Sequence, residues 1–143
     1  MGIWFANPTV EDAMASQVGL LSDHLGIVFT ELGPDFLRGT MPVGPRTHQP
    51  LGYLHGGASV AFAETLGSVA AYFVIDRDRY ICLGQEINAN HLRPVSDDLV
   101  TGTAKPFHIG ARSHVWSIEI RDPRERLVCI SRLTVAVVDR KPK

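Results

Sequence analysis

Twenty consecutive residues, Gly56 to Ile75 (GGASVAFAETLGSVAAYFVI), carry a single charge, Glu64. A helix that is apolar on nearly every side has to be enclosed by other elements. The run also has the length of a membrane span. Gly56, Gly57, Ser59, Glu64, Gly67 and Ser68 make it a poor anchor, however, and no second run of this kind occurs. The expectation is a core helix wrapped by sheet, with no membrane partner.

The rest of the chain supplies the wrapping. Thr9 to Leu21 has apolar residues at helical spacing (Val10, Ala13, Met14, Val18, Leu21), with Thr9 as N-cap and Asp12 three residues on. Two strand-like runs, 26–32 and 36–43, flank the turn signal Gly33-Pro34-Asp35. Residues 44–52 read as loop, and Asp76-Arg77-Asp78-Arg79 as a solvated connection. Four further β-like runs follow at 80–92, 98–109, 114–122 and 126–139. The third alternates, with Val115, Ser117, Glu119 and Arg121 on one side and Trp116, Ile118 and Ile120 on the other. Short gaps predict antiparallel neighbours. The fold class is α+β: one domain over 1–143, a long central helix wrapped by an antiparallel sheet of about six strands, and an N-terminal helical segment over 1–24. Six strands do not cover a twenty-residue helix on all sides, and its many small residues permit close approach, so a homodimer is expected.

Net charge is −1 with no block of like charges, which gives no nucleic-acid footprint. Cys82 and Cys129 sit far apart in apolar surroundings and read as reduced core thiols of a cytoplasmic protein. No lysine or arginine precedes Arg38, so neither a secretory signal nor a transit peptide is expected.

A carboxylate in an apolar helix is costly unless compensated, and burial is one way proteins tune such groups for chemistry. Glu64 is therefore a candidate catalytic group, set against the plain alternative of a glutamate on a solvated stripe. Ser68, one turn on, shares its face and can donate to it. His55-Gly56-Gly57 opens the helix, where unpaired N–H groups and a partial positive charge can stabilise a developing oxyanion. Glycines there admit a ligand atom close to the backbone. Taken alone, His55 would read as a helix cap and Gly56-Gly57 as a tight turn. Gln49 upstream can position a carbonyl or a water. Gly57-Ala58-Ser59-Val60-Ala61 lacks the last glycine of a nucleophile elbow and lies inside the helix. The six histidines form no His-Glu-x-x-His, and no Cys-x-x-Cys or phosphate-binding glycine motif occurs, so neither a metal nor a cofactor is expected.

The segment QPLGYLHGGASVAFAETLGS (49–68) closely resembles the hotdog-fold acyl-CoA thioesterases. The subgroup is the one that includes the 1,4-dihydroxy-2-naphthoyl-CoA, enterobactin-proofreading and Arthrobacter-type 4-hydroxybenzoyl-CoA thioesterases. The likeness continues through EINANHLRPVS (86–96), KPFHIGARSHVW (105–116) and SRLTVAVV (131–138). It implies a hotdog fold and a dimer whose sheets join, commonly paired into a dimer-of-dimers tetramer. It also implies roles. Glu64 is the nucleophile or the general base, the Gly56 amide polarises the thioester carbonyl with help from His55, and Gln49 and Ser68 orient the reacting groups. Glu64 and Ser68 would face Gln49, His55 and Gly56 of the neighbouring subunit. Coenzyme A, part of the substrate, would lie along Gly84, along His91, Leu92, Arg93 and Pro94, and along His108, Ile109, Gly110, Ala111, Arg112 and Ser113. Read from residue types alone, the last two groups are a strand end and a hairpin with surface arginines.

The implied reaction is hydrolysis of an acyl-CoA, with an aromatic or medium-chain acyl group, to the free acid and CoA. Two rivals stand beside it. One is a thioesterase acting on an acyl or aryl carrier protein, since a basic rim of Arg93, Lys105 and Arg112 would serve either carrier. The other is a non-catalytic module that binds CoA esters.

Overall fold

The computed structural model describes residues 2–142. Three helices and six strands follow in the order α1 (Val10–Ala15), α2 (Leu21–His24), β1 (Val28–Leu32), β2 (Leu37–Pro42), α3 (Gly56–Val74), β3 (Tyr80–His91), β4 (Leu99–Ile109), β5 (Ser113–Arg121) and β6 (Leu127–Asp139). All strands join one antiparallel sheet in the order β1-β2-β4-β5-β6-β3. The six expected strands are present within two residues of their expected ends.

Two expectations are corrected. The N-terminal helix does not run from Thr9 to Leu21. The Thr9–Asp12 capping box starts it as expected, but α1 ends at Ala15. The Ser16 hydroxyl turns back to the Ala13 carbonyl at 2.7 Å, and Gly19 takes a left-handed φ of 73°, which a continuing helix does not allow. The second correction concerns neighbours. A short connection does not pair β3 with β4. Instead β3 crosses to the far edge and pairs with β6, from Tyr80↔Asp139 to His91↔Cys129. The other edge, β1, is five residues long, whereas β3 leaves twelve residues with one side unpaired.

The sheet's inner face packs on α3. On β5, Trp116, Ile118 and Ile120 point inward and are fully buried, as the alternation predicts. Phe62 and Leu66 of α3 meet them at the core, both fully buried. Here the sheet needs a glycine. A methyl group on Gly102 of β4 would lie 2.5 Å from Leu66 Cδ1 and 2.9 Å from Phe62 Cε1. The outer face is polar, with half-exposed pairs Arg38–Glu31 at 2.6 Å and Arg121–Glu119 at 2.7 Å, which contribute about 0–1 kcal/mol each.

α3 is long and apolar enough to cross a membrane, yet more than half of its most apolar stretch is buried inside the protein. The sheet covers one side only. Ala58, Ser59, Phe62, Ala63, Leu66, Gly67, Val69, Ala70, Ala71 and Phe73 are buried. Gly57, Val60, Ala61, Glu64, Thr65, Ser68 and Tyr72 are not, and they form one stripe at helical spacing. The stripe carries the helix's one charge.

Because Phe62 and Leu66 are both enclosed, Gly102→Ala should overpack the helix–sheet contact and lower stability by about 1–3 kcal/mol. Denaturant unfolding of the variant beside wild type measures it; an unchanged midpoint would mean that α3 shifts without cost.

Candidate active site

The start of α3 is fixed by the loop before it. The hydroxyl of buried Thr47 donates to the Pro42 carbonyl at 2.9 Å, the His55 amide to the Thr47 carbonyl at 2.7 Å, and the Leu54 amide to the Val95 carbonyl at 2.7 Å. His55 is the N-cap. Its Nδ1 accepts from the Gly57 amide at 2.8 Å, so the proton of the neutral ring sits on Nε2. The Gly56 amide makes no hydrogen bond among the described residues and stands free at the positive end of a nineteen-residue helix. The His91 ring stands beside the Gly56 Cα: a methyl group on Gly56 would come within 2.9 Å of His91 Nε2. Gln49 is held by its backbone, its amide donating to the Tyr53 carbonyl at 2.8 Å, while its side-chain oxygen accepts from the Leu51 amide. Its side-chain NH2 group remains as a donor. Gln49, Gly56, His91, Leu92, Arg93 and Pro94 line one cavity of about 320 Å³.

Glu64 and Ser68 lie elsewhere. They line a larger cleft, about 720 Å³, whose floor is the uncovered stripe of α3. Glu64 is half-buried and, among the described residues, is the one charged side chain in the lining. Its Oε1 rests against the backbone of β3, where a methyl group on Gly84 would come within 2.5 Å. Gly84 thus belongs to the carboxylate's seat. Ser68 shares the face, but no Ser68–Glu64 hydrogen bond forms among the described residues. Cys82 also lines the cleft and is half-buried, a correction to its expected place in the core. Burial pushes its thiol up to about 11, so it stays protonated at neutral pH and does not compete as a nucleophile. Cys129 is fully buried and also free.

The expected site residues therefore fall into two groups within one chain. Gly56 and Glu64 are eight residues apart on α3, about 12 Å along its axis. The sheet repeats the division. His91 pairs with Cys129 at one end of β6, whereas the hairpin His108–Ser113 sits at the other, with Ser113 opposite Ala136 and the Val137 amide donating to the Arg112 carbonyl at 2.9 Å. Seven residues along β6 separate the two ends, about 23 Å. One end holds Gln49, His55, Gly56 and His91–Pro94; the other holds Glu64, Ser68, Gly84 and His108–Ser113.

The expected basic rim is not continuous. Lys105 lies on the outer face of the sheet, 5.6 Å from the centre of the Phe36 ring, because its place on β4 pairs with the outward Ser117. Arg112 reaches Asp139 at 3.5 Å, with both side chains largely exposed. Sequence reasoning missed Ser16, Gln17 and Leu21, which form a wall of the Glu64 cleft. It also missed Val60, Thr65 and Tyr72, although their helical spacing from Glu64 carried the signal.

Comparison with known proteins agrees with the fold. The family model described as Thioesterase superfamily matches residues 51–129. The proofreading thioesterase EntH of Cronobacter sakazakii is 50% identical over 95% of this chain and 98% of its own. The 1,4-dihydroxy-2-naphthoyl-CoA hydrolase of Escherichia coli is 47% identical over 95% of this chain and 99% of its own. Among solved structures, a mutant thioesterase from Pseudomonas aeruginosa superposes with a TM-score of 0.95 at 45% identity, covering 97% of this chain and 100% of that one. A thioesterase from Haemophilus influenzae gives 0.92 at 42% identity over 96% and 95%. Its sequence, its six-stranded sheet around one long helix and these relatives make the chain a hotdog-fold member of the thioesterase superfamily, a thioester hydrolase.

Proposed function

We propose that this thioesterase hydrolyses acyl-CoA esters, with Glu64 as nucleophile or general base, in a site shared between two subunits. The observation that carries the reading is the separation of the two residue groups along α3 and β6. A two-fold dimer joined along the free edge of β3 turns one protomer's Gly56 end towards its partner's Glu64 end. The thioester oxygen then accepts from the free Gly56 amide, with His55, its ring fixed by the Gly57 amide, and Gln49 beside it. Glu64 approaches the carbonyl carbon from across the interface.

Two routes balance. As general base, Glu64 takes a proton from water, hydroxide adds to the carbonyl carbon, and the C–S bond breaks. As nucleophile, it forms an acyl anhydride that water then opens. In both, the oxyanion forms against the Gly56 amide. In the first route the leaving thiolate recovers the proton that Glu64 took. In the second it leaves unprotonated, and of the two protons of the water that opens the anhydride one goes to the thiolate and one to solvent. Thiolate is a good leaving group, so a carboxylate without a metal suffices. Coenzyme A would run between His91–Pro94 of one subunit and His108–Ser113 of the other, with Arg93 and Arg112 available to its phosphates. The name of the Escherichia coli relative supports an aromatic acyl group. A carrier-protein substrate would present the same phosphopantetheine arm, and rates on matched CoA and carrier esters separate the two.

A thiol-release assay tests the role of Glu64. Glu64→Gln should lower kcat by roughly 10²–10⁴-fold with an unchanged fold; turnover within tenfold of wild type would remove Glu64 from the mechanism. Gly84→Ala should leave thermal stability nearly intact, since the atom it strikes ends a flexible side chain, and yet lower kcat by displacing the carboxylate. Equal kcat would show that the seat at Gly84 does not matter.

The shared site has its own test. Glu64→Ala and Gln49→Ala homodimers should each be nearly inactive. Unfolded and refolded together, they should recover about a quarter of wild-type activity, since half of the dimers are mixed and each mixed dimer has one intact site. No recovery would place both residues in one subunit's site.

A further inference from the structure

The Glu64 cleft has a wall that the reaction scheme does not use. Ser16, Gln17 and Leu21 line it from the N-terminal segment, together with Glu64, Ser68 and Tyr72 of α3. The segment is fastened where it meets the cleft. The Gln17 side-chain nitrogen donates to the Ser16 hydroxyl oxygen at 2.7 Å, and its oxygen accepts from the Ser22 hydroxyl at 2.6 Å. Ser22 is buried, and the Gly19 amide closes the turn on the Asp23 carboxylate at 2.8 Å. A side-chain amide held at both of its ends presents one orientation. Its NH2 group carries a second hydrogen, which no described residue accepts. Leu21 stands at the lip of the cleft, 65% exposed.

The lining sets the class of ligand. Among the described residues of one protomer, Glu64 is the only charged side chain in it. An acyl group bearing its own carboxylate would be brought against the like charge of Glu64. Val60, Ala61, Val69 and Leu21 offer apolar surface, while Gln17 offers one spare donor.

Building on the thioesterase reading, we propose that the Ser16–Leu21 segment selects the acyl group. Gln17 donates to a polar substituent on an uncharged ring, and Leu21 covers the ring's apolar edge. Neither residue touches the thioester carbon, so both act on specificity and not on the chemical step.

The test compares kcat/KM on acetyl-CoA, benzoyl-CoA, the three hydroxybenzoyl-CoA isomers and succinyl-CoA. Wild type should favour at least one hydroxylated ring over benzoyl and should turn over succinyl-CoA poorly. Gln17→Leu should lower that hydroxybenzoyl-to-benzoyl ratio by about tenfold, the worth of one hydrogen bond, and leave acetyl-CoA unchanged. Leu21→Ala removes no hydrogen bond, so it should lower both ring substrates against acetyl-CoA and keep their ratio. If Gln17→Leu unfolds, Gln17→Asn, which keeps the amide but shortens its reach, takes its place.

Loss by one common factor on every ester, acetyl-CoA included, would make the segment merely structural and overturn the proposal. Unchanged ratios in both variants would overturn it too. A wild type with no Glu64-dependent turnover of any ester would overturn the thioesterase reading beneath it, a failure visible before any wall variant is made.

Discussion

Everything in this protein depends on how closely α3 lies against the inner face of the sheet. Phe62 and Leu66 reach the strands only because β4 offers Gly102 where any side chain would collide. That contact sets the rotation of the helix, and the rotation decides which residues remain uncovered. Glu64 is one of them. A carboxylate on the covered side would bear the full cost of leaving water, and one on an open surface would be an ordinary solvated charge. On the uncovered stripe, against Gly84 and within a cleft that has no other charged side chain among the described residues, it is half-withdrawn from water and poised over apolar surface.

Much of the architecture was readable from local pattern. The clean alternation in β5, the turn at Gly33-Pro34-Asp35 and the single charge in the long helix each report on one element, and each held. The failures share a cause. The break after Ala15 depends on a serine hydroxyl returning to its own helix and on one left-handed glycine, within a stretch whose apolar spacing still looks helical. The crossing of β3 to the far edge, the seat of Glu64 at Gly84 and the wall at Gln17 are contacts between distant stretches of chain, which periodicity does not encode. Ser68 shows a subtler limit. Spacing of four residues put it on the face of Glu64, yet that spacing does not fix where a short hydroxyl points, and no bond forms.

The division of labour along α3 follows from the helix itself. Its first turn offers an unpaired amide and a positive potential, suited to an oxygen that gains charge. Its middle offers neither, and there the chain places a carboxylate. His55 serves the first turn by holding the Gly57 amide, which leaves the Gly56 amide as the open donor. The cap reading and the catalytic reading of His55 are thus compatible: the bond that caps the helix also orients the ring.

The long free edge of β3 has a meaning outside catalysis. Twelve residues of strand with unpaired backbone groups, bearing the exposed Leu83, are a template for unspecific strand addition. One way to protect such an edge is to cover it. If the cover is a second copy, solubility and turnover draw on the same surface. A substitution there would then show itself first as insoluble protein in the cell, before any change in rate could be measured.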